Sequence, residues 1–339
     1  MQVASHIGKR ILLGIFTIWV ISILSFIILS LPEDQAIMKF LEGDMEEIGG
    51  MSAYERIKEY LGADKPIYVR YVKWIWPMIS KGELGISFEV YNYYHERPVK
   101  EMVGDRIWTT IVLVGFTALI TWTFAIPVGI YSAVRQHSVG DYVFTFIGFS
   151  GLAVPDFLLG LVLMYVALAY LGQSVGGLYS QEYADVSWFQ GGFNFAKFRD
   201  LIDHLWIPAV VLGTSGTASL IRIMRNNLLD ELNKPYVVTA RAKGLKSWKV
   251  VLKYPVRVAF NPLISTVGYL LPTLVSGSLI VSTVMSLPTL GPVLLRAIER
   301  VDMHLAAFLI LMYGVLTVIG TLLSDILLSI ADPRIKIES

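Results

Sequence analysis

The sequence predicts an all-α polytopic membrane protein with six transmembrane helices, and three observations carry that reading. Of its 339 residues, 55% are hydrophobic and only 16% charged, against roughly 25% charged in soluble domains. The chain divides into six apolar stretches, each near the ~20 residues that a helix needs to cross a bilayer. Nearly all the charge lies between those stretches, where 28 Lys+Arg and 27 Asp+Glu leave a net charge of +1. That balance lacks the basic excess of a nucleic-acid binder. With no Cys, disulfides, thiolate metal sites and thiol catalysis are excluded.

The first stretch, Ile11–Leu31, holds no charge. It exceeds the roughly 7–15 residues of a signal-peptide core, and no small-residue cleavage site follows, so it reads as a retained helix. The second, Ile107–Val134, is likewise uncharged, and the third, Tyr142–Leu171, holds one acid, Asp156. The fourth, Leu205–Leu220, is short and ends at Arg222 and Arg225. The fifth runs from about Ala259 to Met285, and the sixth from about Leu305 to Ile330 with Asp325. The chain thus divides into an N-terminus and first helix (1–32), a long extracytoplasmic segment (33–106) and a five-helix core (107–339), with a polar loop at about 226–257.

Lys and Arg favour the cytoplasmic side, and short loops decide orientation. Nine basic residues between Arg222 and Arg257 make that loop the clearest vote. With an even number of spans, both termini fall on the same, cytoplasmic side. The charge then partitions to about +8 inside and −6 outside, with Asp156 adding −1 within the membrane. Outside, the segment Glu33–Arg106 holds helix-like stretches at Met51–Leu61 and Pro66–Ser80. Its Tyr68, Tyr71, Trp74 and Trp76 suit the bilayer interface or a docking surface. The segment Gly172–His204, with Tyr179, Tyr183, Trp188 and Phe189, suits a lid or docking loop, and Ser286–His304 a re-entrant or interfacial turn.

Catalytic motifs are missing. The Gly8–Lys9 pair lacks the upstream Gly and following Ser/Thr of a phosphate-binding loop, and the five His (6, 95, 137, 204, 304) show no zinc spacing. No G-x-S-x-G elbow occurs, and Gly213-Thr214-Ser215-Gly216 reads as small residues easing helix packing. Intramembrane acids are costly and face a cavity or the bundle interior. Asp156 follows Pro155, where a kink frees backbone carbonyls. Two readings stand for it: a polar group lining a translocation path, or a structural hydrogen bond to a neighbouring helix. Asp325 lies close to the cytoplasmic end, which suits an ion-paired or snorkelling role.

The loop after the fourth span carries Lys234-Pro235-Tyr236-Val237-Val238-Thr239-Ala240-Arg241-Ala242-Lys243-Gly244-Leu245. Pro235 fits the first position of a short helix and Gly244 the position just past its end. About two turns of helix, a glycine break and a second short helix form a projecting hairpin. Its small face, Ala240 and Gly244, suits close approach by another protein, and its basic residues equally suit lipid headgroups.

Thr239-Ala240-Arg241-Ala242-Lys243-Gly244-Leu245 resembles the coupling-loop motif of ABC-importer permeases, in the form found in the dipeptide/oligopeptide/nickel permease family. The resemblance extends over the chain. Leu61-Gly62-Ala63-Asp64-Lys65-Pro66 with Arg70-Tyr71, Gly82-Glu83-Leu84-Gly85-Ile86-Ser87, Pro98-Val99, Arg106 with Thr110, and Asp332-Pro333-Arg334-Ile335 are similar to that family's ordered motifs. Of the older Glu-Ala-Ala opening only Ala240 is retained, after Val238 and Thr239. In the outer element after the fifth helix, Ser282 replaces the family's Glu and Thr289 its first Gly.

The resemblance implies a type I ABC importer permease fold in a prokaryotic cytoplasmic membrane. It implies a coupling helix whose Tyr236, Thr239, Ala240, Arg241, Ala242, Gly244 and Leu245 dock on a cytoplasmic ATPase. The expected partners are a second homologous permease, two ATP-binding subunits and an extracytoplasmic binding protein, all in a lipid bilayer. ATP and Mg belong to the ATPase subunits, and this chain binds no cofactor itself. Pro155, Asp156 and Ser282 are the candidates for the translocation path. The cargo is a peptide or an oligosaccharide, since aromatic outer loops suit both. A stand-alone secondary transporter would need internal inverted repeats and mid-membrane ion sites, for which the sequence offers Asp156 alone.

Overall fold

A computed structural model describes residues 2–30, 59, 62, 64–87, 97–172, 176–184, 186, 193–299 and 302–331. The expected helix at 51–61, Trp188 and Phe189, and the Asp332–Ile335 motif lie largely or wholly outside them.

Apolar runs set the architecture, and two long helices run on through Pro127 and Pro208. Helix α1 spans Gln2–Ser30, α2 Ile67–Lys81, α3 Val99–Val134, α4 Val139–Ala153 and α5 Asp156–Val166, which continues as a π-turn over Ala167–Leu171. After the one-turn α6 (Gln181–Ala184) come α7 (Phe195–Leu232), α8 (Pro235–Ala242), α9 (Ser247–Lys253) and α10 (Pro255–Ala259). Helices α11 (Asn261–Val284), α12 (Leu290–Glu299) and α13 (Met303–Ala331) close the chain. The strands β1 (Ile86–Ser87) and β2 (Arg97–Pro98) form one antiparallel pair, Ile86 opposite Pro98 and Ser87 opposite Arg97.

Among the described residues, α1, α3, α7 and α13 contain helices long and apolar enough to cross a membrane, and the bent pair α4 and α5 passes the same test if it counts as one span. Helix α11, 24 residues without a charged side chain, is roughly 36 Å long at 1.5 Å per residue. Its position matches the expected fifth span.

The third span, expected over Tyr142–Leu171 with a kink at Pro155, is broken there. Its halves meet at 104°. Val154 is extended there (φ −90°, ψ 126°), because a residue before proline is pushed out of the helical region. Pro155 then starts α5, accepting from Leu158 N and Leu159 N. The fourth span also differs, since its helix runs on through Arg222 and Arg225 to Leu232.

The core lies in layers along the bundle. One cluster joins Leu113 of α3, Met164 of α5, Leu201 and Leu205 of α7 and Met285 past α11. A second packs Val99 and Val103 against α12 and α13 through Val293, Leu305 and Leu309. At the other end, Ala125 and Ala133 of α3 meet Leu220, Met224 and Leu228 of α7 and Leu263 of α11. The predicted small-residue packing holds: a Cβ on Gly213 would sit 2.8 Å from Thr121 Oγ1, so glycine is what lets α7 lie against α3.

Chain direction fixes which ends lie together. Arg10 Nε of α1 approaches Asp325 Oδ2 of α13 at 3.4 Å, the ion-paired role expected for Asp325. That contact puts the start of α1 beside the end of α13. At the opposite end, Ser87 donates to Asp302, whose other oxygen accepts from Leu305 N at 3.1 Å and caps α13.

Candidate functional site

The hairpin between α7 and α11 is built by two prolines and one glycine. Lys234 is extended (φ −73°, ψ 147°) ahead of Pro235, which opens α8 as its first residue; its fixed φ is already helical and it has no N–H to leave unpaired. Thr239 Oγ1 donates to Pro235 O at 3.0 Å. The helix stops at Ala242, and Gly244 N donates back to Arg241 O at 2.9 Å. Gly244 has φ +75°, a left-handed conformation that side chains resist. The chain reverses there into α9, and Pro255 starts the turn into α11.

Val237, Ala240 and Val250, with the half-buried Tyr254, form a core of the hairpin's own. Ala240, expected on the docking face, sits inside this core. Its methyl is 6% exposed, covered from within by α9, so its small size serves packing inside the hairpin. The face open to a partner is Tyr236, Val238, Thr239, Arg241, Ala242, Lys243, Gly244 and Leu245. Nothing lies within 4 Å of a Cβ placed on Gly244, so its surroundings are clear. Sequence reasoning missed Val237 and Val250; the three-residue spacing of Val237 and Ala240 is the helical signal that could have marked this inward face.

The hairpin is tied back to α7. Tyr236 Oη donates to Glu231 Oε2, and burial together with that carboxylate pushes the phenol well above its ordinary range. Two turns earlier, Arg225 grips Asp141 of α4 bidentately, Nε to Oδ1 at 3.1 Å and Nη2 to Oδ2 at 3.0 Å. Asp141 also accepts from His137 N at 3.0 Å, while its own N–H donates to Ser138 Oγ at 3.2 Å. This clamp was not predicted; its partners lie 84 residues apart.

The three path candidates do not share one surface. Pro155 is exposed and Asp156 half-buried at the break before α5. Asp156 has the Ser215 hydroxyl of α7 as a hydrogen-bond partner, which supports its structural reading, and a carboxylate in a first helical turn is favoured by the helix dipole. Ser282 is fully buried under the turn where Leu287 N donates to its carbonyl at 2.7 Å. In this conformation it lines no open path. Among the described residues, no three His, Asp or Glu side chains converge as a metal site.

Residues 125–337, which include the hairpin and all three path candidates, match the family described as the binding-protein-dependent transport system inner membrane component. The chain belongs to that family. This permease component is 33% identical over 333 residues to the oligopeptide transport system permease protein AppB of Bacillus subtilis, covering 98% of this chain and 99% of the relative. It is 30% identical over 328 residues to a putative peptide permease protein of Brucella ovis, covering 97% and 98%. The dipeptide transport system permease protein DppB of Escherichia coli is 32% identical over 288 residues, with 81% and 83% covered. The permease is therefore a multi-pass inner-membrane transport component, and its apolar helices fit that placement.

The hairpin's packing makes one prediction. Ala240→Leu places three more carbons where α8 and α9 touch. Overpacking costs typically 1–3 kcal/mol, a large share of what so small a core supplies. Trypsin cleavage at Lys243 and Lys246 is expected to accelerate about tenfold while cleavage elsewhere is unchanged. An unchanged rate would show that Ala240 is not pinned between the helices.

Proposed function

We propose that the chain is one of two permease subunits of an ABC importer for peptides, with the α8–α9 hairpin as the coupling element for a cytoplasmic ATPase. The observation that carries this is the hairpin itself: a rigid, self-packed pair of short helices, exposed along Tyr236–Leu245 and anchored to α7, in a chain similar to peptide permeases along nearly all its length. A rigid element of this kind transmits rigid-body movement between packed domains. ATP-driven closure of two ATPases moves the hairpins of two permeases, and the paired bundles alternate between inward- and outward-open states. An extracytoplasmic binding protein delivers the peptide. ATP and Mg sit on the ATPase subunits.

In this reading α1, α3, α4–α5, α7, α11 and α13 make six crossings of a type I importer fold. Both termini lie on the side of the hairpin, which the nine Lys and Arg from Arg222 to Arg257 make cytoplasmic. The Arg10–Asp325 pair supports the shared side of the termini. Pro155 and Asp156, at the α4–α5 break, are the path residues of this reading, and Ser282 joins them when the turn after α11 moves. Peptide cargo is favoured over oligosaccharide because the similar proteins are named for oligopeptide and dipeptide transport.

Proteoliposomes holding both permeases and both ATPases, supplied with binding protein, test this. ATP-dependent uptake of a labelled dipeptide or pentapeptide is expected, with no uptake of maltotriose. Uptake that needs neither ATP nor a partner would overturn the importer reading, and uptake of the sugar alone would overturn the peptide assignment.

A further inference from the structure

Helix α2 has two apolar faces, and only one is covered. Tyr71, Trp74, Ile75 and Met78 pack on α1 and α13 around Phe26, Ala307 and Leu311. The opposite face shows Tyr68, Val72, Trp76 and Ile79, between 54% and 73% exposed. Their spacing of four, four and three residues is one helical stripe. Tyr68, Val69, Val72, Trp76, Pro77 and Lys73 wall a groove of about 460 Å³ along it.

The covered face fixes the depth of the helix. Tyr71 Oη and Ser22 Oγ are 2.7 Å apart, and the Phe26 and Trp74 rings are 5.4 Å apart. Ser22 lies six residues inside the end of the apolar window Gly8–Ile28, roughly 9 Å at 1.5 Å per residue. Leu311 lies seven residues inside the window His304–Ile330 of α13. Both spans therefore hold α2 at the level of acyl chains, where Leu24, Ile27 and Ile28 of α1 are also exposed. Lipid is the occupant this depth supplies.

A charge feature lies at the groove's edge. Lys73 lines both the groove and an adjoining cavity of about 850 Å³, whose walls carry Arg70, Lys73, Lys81 and Lys100 against Glu59 and Glu83. The Lys65 stem (Cδ), the Arg70 stem (Cγ) and the Lys73 ammonium converge beside Gly62, at 3.7, 3.8 and 4.0 Å from a Cβ built there. Lys65 holds the Lys73 ammonium below its ordinary range, although Glu59 pulls the other way. Two ammonium groups so placed favour a phosphate between them.

We propose that α2 is an outer-leaflet anchor that binds one anionic phospholipid, its acyl chain in the Tyr68–Val72–Trp76 groove and its phosphate between Lys65 and Lys73. The proposal rests on the membrane-spanning reading of α1 and α13. Lysine stems reach along apolar surface and present their charge at the headgroup level, which suits Lys73 at the groove's rim.

Quenching by chain-brominated lipids tests this in nanodiscs of the complete transporter. The Trp76 signal is the difference between wild type and Trp76→Phe, and Trp19 of α1, taken from Trp19→Phe, reports whether that span meets lipid. The Trp76 signal is expected to fall at least twofold more with brominated phosphatidylglycerol than with brominated phosphatidylcholine. The Lys65→Gln/Lys73→Gln variant is expected to lose that preference and keep the quenching. Equal quenching by both lipids in wild type would overturn headgroup selection. Quenching of Trp19 without Trp76 would overturn the anchor and leave a binding-protein surface or water on the stripe. Quenching of neither would overturn the membrane reading beneath it.

Discussion

Replacing Gly244 with valine is expected to uncouple ATP hydrolysis from peptide uptake while leaving the membrane bundle folded. The position has φ +75°, and a β-branched residue is a genuine outlier there. Strain of this kind costs of order 1–3 kcal/mol, about a five- to hundredfold change in population. Relief comes by turning α8 away from α9, because only the small cluster of Val237, Ala240 and Val250 with Tyr254 forms the hairpin's buried core among the described residues. Uptake is expected to fall at least tenfold, with basal ATPase activity and thermal midpoint near wild type.

A short series separates the two reasons for a glycine. The space around it is clear, so strain alone predicts that Gly244→Asn keeps most of the uptake, since asparagine tolerates the left-handed region. Gly244→Ala would rank next and Gly244→Val last. If loss follows side-chain volume instead, with asparagine worse than alanine, the glycine serves the partner's approach. Unchanged uptake in all three would sink the coupling assignment.

Much of this was legible in the sequence because it is local. Long apolar runs mark α1, α3 and α13, and charge density marks the hairpin. Pro235 and Gly244 carry their backbone preferences with them, and both stand at the helix positions those preferences require. Val154-Pro155 foretold a break but not a 104° bend, because the angle depends on what α4 and α5 each pack against. The burial of Ala240 was not legible for a related reason. A small residue in a hairpin suits an inner or an outer contact equally, and only the fold of α9 over it decides. Contacts between distant segments left no trace: Ser87 meets Asp302 across 215 residues, and Asp141 meets Arg225 across 84. Nothing in either local pattern distinguishes such partners from solvated surface groups.

The Asp141–Arg225 clamp is expected to be the most stabilising polar contact at the hairpin end of the bundle. Asp141 is 3% exposed, and its carboxylate takes both guanidinium bonds and a backbone N–H. Removing one partner of a buried pair strands the other's charge, at a cost of roughly 3–5 kcal/mol. Asp141→Ala belongs near the lower end, because the Arg225 side chain keeps 24% of its surface open to water. A clearly lowered thermal midpoint in nanodiscs is expected for Asp141→Ala and for Arg225→Met. The double variant Asp141→Leu/Arg225→Met is expected to recover part of the loss, since an apolar pair leaves no stranded charge. The exchange Asp141→Arg/Arg225→Asp should not recover it, because His137 N–H and the first turn of α4 favour an acid at that end. The clamp lies two turns before the end of α7, so it also fixes the stem from which the hairpin projects. A push on the hairpin then moves α4 and α7 as one body, and Asp141→Ala is expected to lower uptake further than its stability loss alone predicts. Single variants as stable and as active as wild type would remove the clamp from both roles.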